Sequence, residues 1–445
     1  MKELFKSALL VLLICTSLFL SGLLWFSSPS FEDNQRSGYI KPPQIGHEKD
    51  KKTSTELLVP AQIIFHQRGK HHLVPTNGGI YSQLLENVSP TEVKEYSIST
   101  TAEVWDKLYN ESTSLELRFS DTLPVELILS PKRESEPIFE GYPISRIWIF
   151  EEPNRELTAW FISDRDNKIL SCEIHLDQPR SLQEIIANQE TLPVSPVFLP
   201  SGSSELPEEI NEFPKAVYLP QKSITMTKFV YKRKLIQVED IKNWLFPDPS
   251  LARRLPYKHE FIYTDGSRNL THDTENEAMV YRDLTFRTTQ SSLLVEELNT
   301  ITQFMNKHSG WTGNFLLERL DRSENDPLHR FTFRLTIEGY PVYGEHEGGP
   351  ETIELISTPL RVIEYKRSLY YLTPQPEKIS SSELLGKKEV LRAIEKTGLS
   401  LKNIHDIFPG YQAVTESDDI TLQPSWFVVL SDGKIHRIPS PSSRR

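Results

Sequence analysis

The most continuous apolar pattern in the chain is Ala8 to Phe26, ALLVLLICTSLFLSGLLWF, nineteen residues without a charge. At ~1.5 Å rise per residue, a helix of that length just crosses a hydrocarbon core of ~30 Å. Lys2 and Lys6 precede the run, and Glu32 and Asp33 follow it. The positive-inside rule then keeps the N-terminus in the cytoplasm and places everything after Ser27 outside, with Trp25 and Phe26 at the outer interface. A cleaved leader has a shorter apolar run and a small-x-small site. Here the run is longer, and it ends in the bulky Leu23, Leu24, Trp25 and Phe26. A lipidated Cys15 would follow Ile14, with apolar sequence continuing beyond it. The pattern therefore predicts an uncleaved anchor: residues 1–7 as a tail, 8–26 as a transmembrane helix. Ser17 and Ser21 make a small-xxx-small pair with Gly22 beside it, a spacing that lets two helices approach closely in lipid.

After the span the pattern changes. Residues 27–57 are rich in Ser, Pro, Lys and Glu, which predicts a stalk that cannot bury enough apolar area to fold alone. Residues 58–192 read as an α+β domain. Short apolar or alternating runs at Gln62–His66, Leu115–Phe119, Val125–Leu129, Arg146–Glu151, Leu157–Ser163 and Ile169–Leu176 predict strands, the last three a meander. Helices are predicted at Gly78–Glu86, at Thr100–Tyr109 behind a capping box, and at Ser181–Asn188. Four prolines and Ser201-Gly-Ser-Ser204 mark 193–213 as a linker.

Residues 214–375 predict a central α+β domain. Its clearest helix is Leu293–Lys307, with Leu294, Leu298, Ile301, Phe304 and Met305 on one face. A second helix, Val238–Phe246, stops at Pro247, and strands are predicted at Ile224–Tyr231, Glu260–Thr264, Met279–Asp283, Phe315–Leu320, His329–Glu338, Glu351–Ser357 and Leu360–Leu372. Gly339-Tyr-Pro-Val342 reads as a turn. Residues 376–445 predict a small C-terminal unit: a helix led by Ser381 and stopped at Gly398, then strands at Ile404–Val414, Trp426–Leu430 and Lys434–Ile438, the last two joined by Asp432-Gly433. Helix followed by antiparallel strands occurs in both of the last two units, which suggests a degenerate repeat.

Composition narrows the function. The chain is 38% hydrophobic and 25% charged, as globular domains are. Its net charge of −11 argues against nucleic acid and against wide contact with anionic lipid. Of two cysteines, Cys15 lies in the span, so no disulfide forms within the exported part, a pattern that suits a bacterium.

Candidate chemistry is sparse. His71-His72 reads as a solvated polar turn with no third ligand at metal spacing. His346-Glu-Gly-Gly349 lacks the second histidine of a zinc protease motif, and Gly202-Ser-Ser-Glu205 lacks the strand–elbow–helix context of a hydrolase. Cys172 reads as a small buried hydrophobe, and Asp265-Gly-Ser-Arg268 as a turn. No catalytic, cofactor or metal site emerges, and a large exported mass without one points to binding.

The order Tyr263-Thr-Asp-Gly-Ser-Arg268, Met279-Val-Tyr281, His308-Ser-Gly-Trp311 and Phe331–Glu338 running into Gly339-Tyr-Pro-Val342 resembles the YycH family, and its last segment also resembles the sister family YycI. Leu422-Gln-Pro-Ser-Trp426 with Ser431-Asp-Gly433 resembles a PepSY-like strand pair. The resemblance implies three extracytoplasmic α+β units on antiparallel sheets, the last two related and PepSY-like. It also implies a non-enzymatic accessory of the cell-wall sensor histidine kinase WalK (YycG), acting through membrane helices with a YycI-like partner. Ser17, Ser21 and Gly22 would then pair helices, a homodimer being a further arrangement open to them. The alternative is an extracytoplasmic PepSY-like module that inhibits an exported peptidase or senses a cell-wall ligand.

Overall fold

The structure is a computed structural model that describes residues 6, 10, 13, 16, 17, 44–46, 48–74, 89–94, 102–128, 141–151, 157–175, 182–186, 191–200, 213–285, 293–323, 326–345 and 348–438. The chain falls into two units, Met1–Pro43 and Gln44–Arg445. In the first, Lys6, Leu10, Leu13, Thr16 and Ser17 are helical; Ser21 and Gly22 lie outside the described residues. Among the described residues no helix is long and apolar enough to cross a membrane.

The second unit is built on two sheets. Strands of the first are β1 (Gln62–Gln67), β2 (Lys70–Val74), β3 (Ser89–Lys94), β4 (Thr113–Pro124), β5 (Pro143–Glu151), β6 (Leu157–Ser163), β7 (Lys168–His175), β8 (Leu192–Phe198) and β9 (Ala216–Pro220), in the order β3-β7-β6-β5-β4-β1-β2-β8-β9. Its helices are α1 (Ala102–Asn110), α2 (Val125–Ile128) and α3 (Leu182–Ile186). Strand alternation sends Ile63, Phe65, Leu115, Leu117, Ile147 and Ile149 to one face, which joins the main core of the unit. The opposite face carries Ile64, Trp148, Trp160 and Tyr218 against Trp105, Leu108 and Tyr109 of α1.

The second sheet has fifteen strands: β10 (Ile224–Leu235), β11 (Arg253–Tyr257), β12 (Glu260–Thr264), β13 (Arg268–Asp273), β14 (Ala278–Asp283), β15 (Phe315–Ser323), β16 (Asp326–Ile337), β17 (Tyr340–Tyr343), β18 (Thr352–Ser357), β19 (Val362–Ser368), β20 (Tyr370–Leu372), β21 (Lys378–Leu384), β22 (Ile404–Glu416), β23 (Asp419–Leu430) and β24 (Ile435–Ile438). The main path runs β11-β12-β13-β14-β19-β18-β16-β17-β22-β23-β10-β20, with β15 on β16, β21 on β10 and β24 on β23. Only β17–β22 is parallel among the described pairs; the rest are antiparallel. Three helices accompany this sheet: α4 (Val238–Leu245), α5 (Leu294–Lys307) and α6 (Lys387–Thr397). The periodic stripe of α5 buries Leu294, Leu298, Ile301 and Met305, and Phe304 meets Tyr365 edge-on at 5.5 Å. Gly398, at φ 77°, ends α6 in the left-handed conformation that glycine enters without cost.

The meander β5–β6–β7, α1, α4, α5 and the Asp432-Gly433 hairpin lie where the pattern puts them. Other segments differ. Leu192–Phe198, within the expected linker, is β8, paired with β2 and β9, so the first sheet closes only at Pro220. Pro193 and Pro196 each cost that ladder one donor, which the strand tolerates. Val125–Ile128 is helical, its amide held by the Tyr142 carbonyl. Ser381 belongs to β21, paired with β10, because cross-strand bonding outweighs the local helix signal. Tyr340–Tyr343 is a strand, and the turn before it is Glu338-Gly339, both at positive φ. The expected helix 78–86 lies outside the described residues. The last part of the expected stalk is docked: Ile45 and Gly46 donate to the carbonyls of His308 and Ser309, Asn306 bonds Lys52, and Leu57 is fully buried.

Candidate functional site

Two polar features stand out in the second unit. The first is buried between the first sheet and α1. The β1–β2 hairpin turns at Arg68-Gly69, both at positive φ, which sets His66 directly opposite His71. Their Nδ1 atoms lie 2.9 Å apart, so the pair holds one proton between them. His71 is 6% exposed and His66 fully buried, so His71 is not the solvated side chain the sequence suggests. Burial first, and His66 second, push His71 down to about 4. The neighbouring His72 is half-buried, with Thr191 Oγ1 at 3.3 Å from its Nδ1.

Glu116 on β4 is the hub of this cluster. Tyr218 donates to its Oε2 at 2.5 Å, and Arg146 donates to its Oε1 at 3.2 Å. His66 Nε2 lies 3.5 Å from the same carboxylate. Burial alone would raise this acid, yet His66, Arg146 and Arg118 hold it at about 2. Arg146 reaches on to Asp164 through Nε at 3.2 Å and Nη2 at 2.8 Å. Trp148 stacks on the His66 ring at 4.8 Å and donates to Ser114. Among the described residues this polar network is hydrogen-bonded inside an aromatic shell except at His66 Nε2, which is buried without a hydrogen-bond partner.

The second feature is a cleft of about 680 Å³ where that network reaches the surface. The first sheet contributes Arg118, Arg146 and Asp164; the second contributes Glu318, Arg334 and Asp406. Arg118 reaches across to Asp406 at 3.4 Å and to Gln62 at 3.3 Å. Arg334 holds Glu318 Oε2 through Nε at 3.0 Å and Nη2 at 2.8 Å, while Tyr343 donates to Oε1 at 2.8 Å. Ser120 donates to the Glu318 carbonyl, and the Leu320 amide donates to Asp121. Arg118, Ser120 and Asp121 tie the first sheet to the second beside the cleft, while the Arg334–Glu318–Tyr343 group lies within the second sheet.

The cleft has the volume of a small-molecule site, and the charges that line it are paired within the protein, Arg118 with Asp406, Arg146 with Asp164 and Arg334 with Glu318. None of these residues was a candidate from the sequence. Their partners lie far apart along the chain, as with Arg118 and Asp406, and no local motif joins them.

The other sequence candidates are dispersed. Asp265 is a turn residue whose Oδ1 accepts from the amides of Ser267 and Arg268. Cys172 sits in β7 opposite Ala159 and Val93, its side chain outside the described residues. His346 and Gly202–Glu205 are outside them as well. Of the helix-pairing set, Ser17 alone is described.

Comparison with known proteins accounts for most of the chain. A family model described as YycH protein, N-terminal domain, matches residues 3–191, and one described as YycH protein, C-terminal domain, matches residues 214–442. The chain is 24% identical over 456 aligned residues to the two-component system WalR/WalK regulatory protein YycH of Bacillus subtilis (strain 168), covering 98% of this chain and 96% of that protein. The crystal structure of YycH from Bacillus subtilis superposes with a TM-score of 0.67 at 21% identity, over 88% of this chain and 98% of that one, and so shares the fold. The chain belongs to the YycH family.

Proposed function

We propose that this chain is an accessory regulator of a WalR/WalK-type two-component system, held at the membrane by residues 8–26, with its bulk outside. The observation that carries the reading is the near full-length match to a relative of that name. In this reading the span contacts the helices of the sensor histidine kinase WalK and of a YycI-like partner through Ser17, Ser21 and Gly22. A single helix in lipid finds partners by close packing, with small residues at the contact. A partner shifts a kinase equilibrium only by its differential affinity for the two states. The reading assigns no catalysis, cofactor or metal.

The test replaces Ser17, Ser21 and Gly22 together by Leu in the full chain. Co-purification with the kinase and output of a WalR-dependent reporter are both expected to fall. Wild-type association and output from that variant would refute helix pairing.

The cleft supports a second reading, an extracytoplasmic module that takes a cell-wall ligand or inhibits an exported peptidase through its PepSY-like C-terminal part. A chain released before Gln44 would keep its function under this reading and lose it under the first.

A further inference from the structure

We propose that the β11–β12 hairpin and the turn leading into it form a contact for a lipid surface, taking anionic phospholipid headgroups. The proposal rests on the membrane-anchored reading above. Residues 251–259, LARRLPYKH, carry Arg253, Arg254 and Lys258 and no carboxylate, in a chain whose net charge is −11; carboxylates lie beside the segment at Glu260, opposite Tyr257, and at Glu275, which lies 3.1 Å from His259. Every residue of β11 is exposed. Among the described residues none of the three cations makes an ion pair; Arg254 instead lies over the Phe261 ring at 3.6 Å, and Lys258 lies 5.4 Å from the Tyr257 ring. Three large apolar side chains share the hairpin with them: Leu251 at 65% exposure, Leu255 at 49% and Tyr257 at 57%. Unpaired cations interleaved with exposed Leu and Tyr match an interface that is anionic at its surface and apolar just below it.

Other occupants fit less well. β11 ends the second sheet, so a partner strand could in principle add to it. Pro256, however, removes an amide donor from a strand of only five residues, a common way of blunting an edge. A soluble polyanion would satisfy the three cations but leave Leu251, Leu255 and Tyr257 in water.

The experiment uses the full chain with Cys15 and Cys172 changed to Ser and Tyr257→Cys carrying an environment-sensitive fluorophore. It is reconstituted in phosphatidylcholine vesicles with or without phosphatidylglycerol. A blue-shifted emission, quenched by brominated lipid, is expected only with phosphatidylglycerol and is lost at high salt. Arg253→Glu, Arg254→Glu and Lys258→Glu together should lower the docked fraction at least tenfold, since each basic residue near such a surface is worth roughly fivefold in affinity. Leu255→Ser, with the charges intact, should weaken the quenching. All four positions are exposed, so the fold carries the changes.

Equal emission in both vesicle types overturns the proposal, as does undiminished docking of the charge-reversed chain. So does an equal shift with soluble polyphosphate, or one from a label on Leu360→Cys, an exposed leucine elsewhere. Flotation of the chain with phosphatidylcholine vesicles tests the anchor alone. Its loss strikes the anchored reading; intact flotation with unchanged fluorescence strikes only the hairpin.

Discussion

Acid should loosen this protein through His308. Its ring is buried among Phe304, Trp244 and Tyr365, it donates to the Phe304 carbonyl, and its Nε2 has no hydrogen-bond partner among the described residues. Burial, and then the nearby Arg367 charge, lower its titration to about 4 from 6.5. The sign follows from linkage. The unfolded chain takes up the proton more readily than the folded one. The stabilising contribution is therefore complete above 6.5 and is lost as pH falls from there toward about 4. Between neutral pH and about one and a half pH units below 6.5, that amounts to roughly 2 kcal/mol. His71, lowered to about 4 by burial and by His66, adds a contribution of the same sign. Asp121 and Glu351 are raised by burial, so their protonation favours the folded chain and partly offsets the loss.

The assay compares urea unfolding of the wild-type chain and of His308→Gln across this pH range. Glutamine keeps a donor for Phe304 but cannot titrate. The variant is expected to be less stable at neutral pH, yet its stability should fall less steeply on acidification, by about 1.4 kcal/mol per pH unit over the window. Every other titrating group is common to both proteins, so the difference in slope isolates His308. Parallel pH profiles would refute the reasoning, whatever the absolute stabilities.

Two further outcomes follow from the packing. A Cβ on Gly46 would meet the carbonyl oxygens of Trp311 at 2.5 Å and Ser309 at 2.7 Å, both backbone atoms. Gly46→Ala should therefore release the docked segment and speed tryptic cleavage after Lys52; an unchanged cleavage rate would show that the segment is held elsewhere. Glu318→Gln removes the charge that Arg334 grips twice and weakens the acceptor of Tyr343. It should cost about 1–3 kcal/mol, read as a lower thermal midpoint; an unaltered midpoint would count against the pair as a tie.

Elements whose sequence pattern matches their own burial were legible in advance. The stripe of α5 and the alternation of Phe331, Phe333 and Leu335 in β16 each follow from one exposed and one buried face. Segments decided by distant partners were not. Ser380–Ser382 carry no strand signal, and only the register with Thr227 and its neighbours makes them β21. His71 illustrates the same limit at the site. The Arg68-Gly69 turn was a usable hairpin signal that would have placed it opposite His66. Its burial, though, depends on Glu116, Arg146 and Tyr218, which no spacing connects to it.

The twelve residues of β10 are shared out along their length, with β21 against Ile224–Val230, β23 against Phe229–Lys232 and β20 against Arg233–Leu235. The central and C-terminal parts are thus woven through one backbone ladder, and neither can swivel against the other without breaking it. Among the described residues no strand pairing crosses from the first sheet to the second; there, the shared apolar core and side chains such as Arg118 and Asp406 do the joining. Strain between the two sheets is accordingly carried by the shared apolar core and by side-chain contacts such as Arg118–Asp406, and strain within the large sheet by backbone hydrogen bonds.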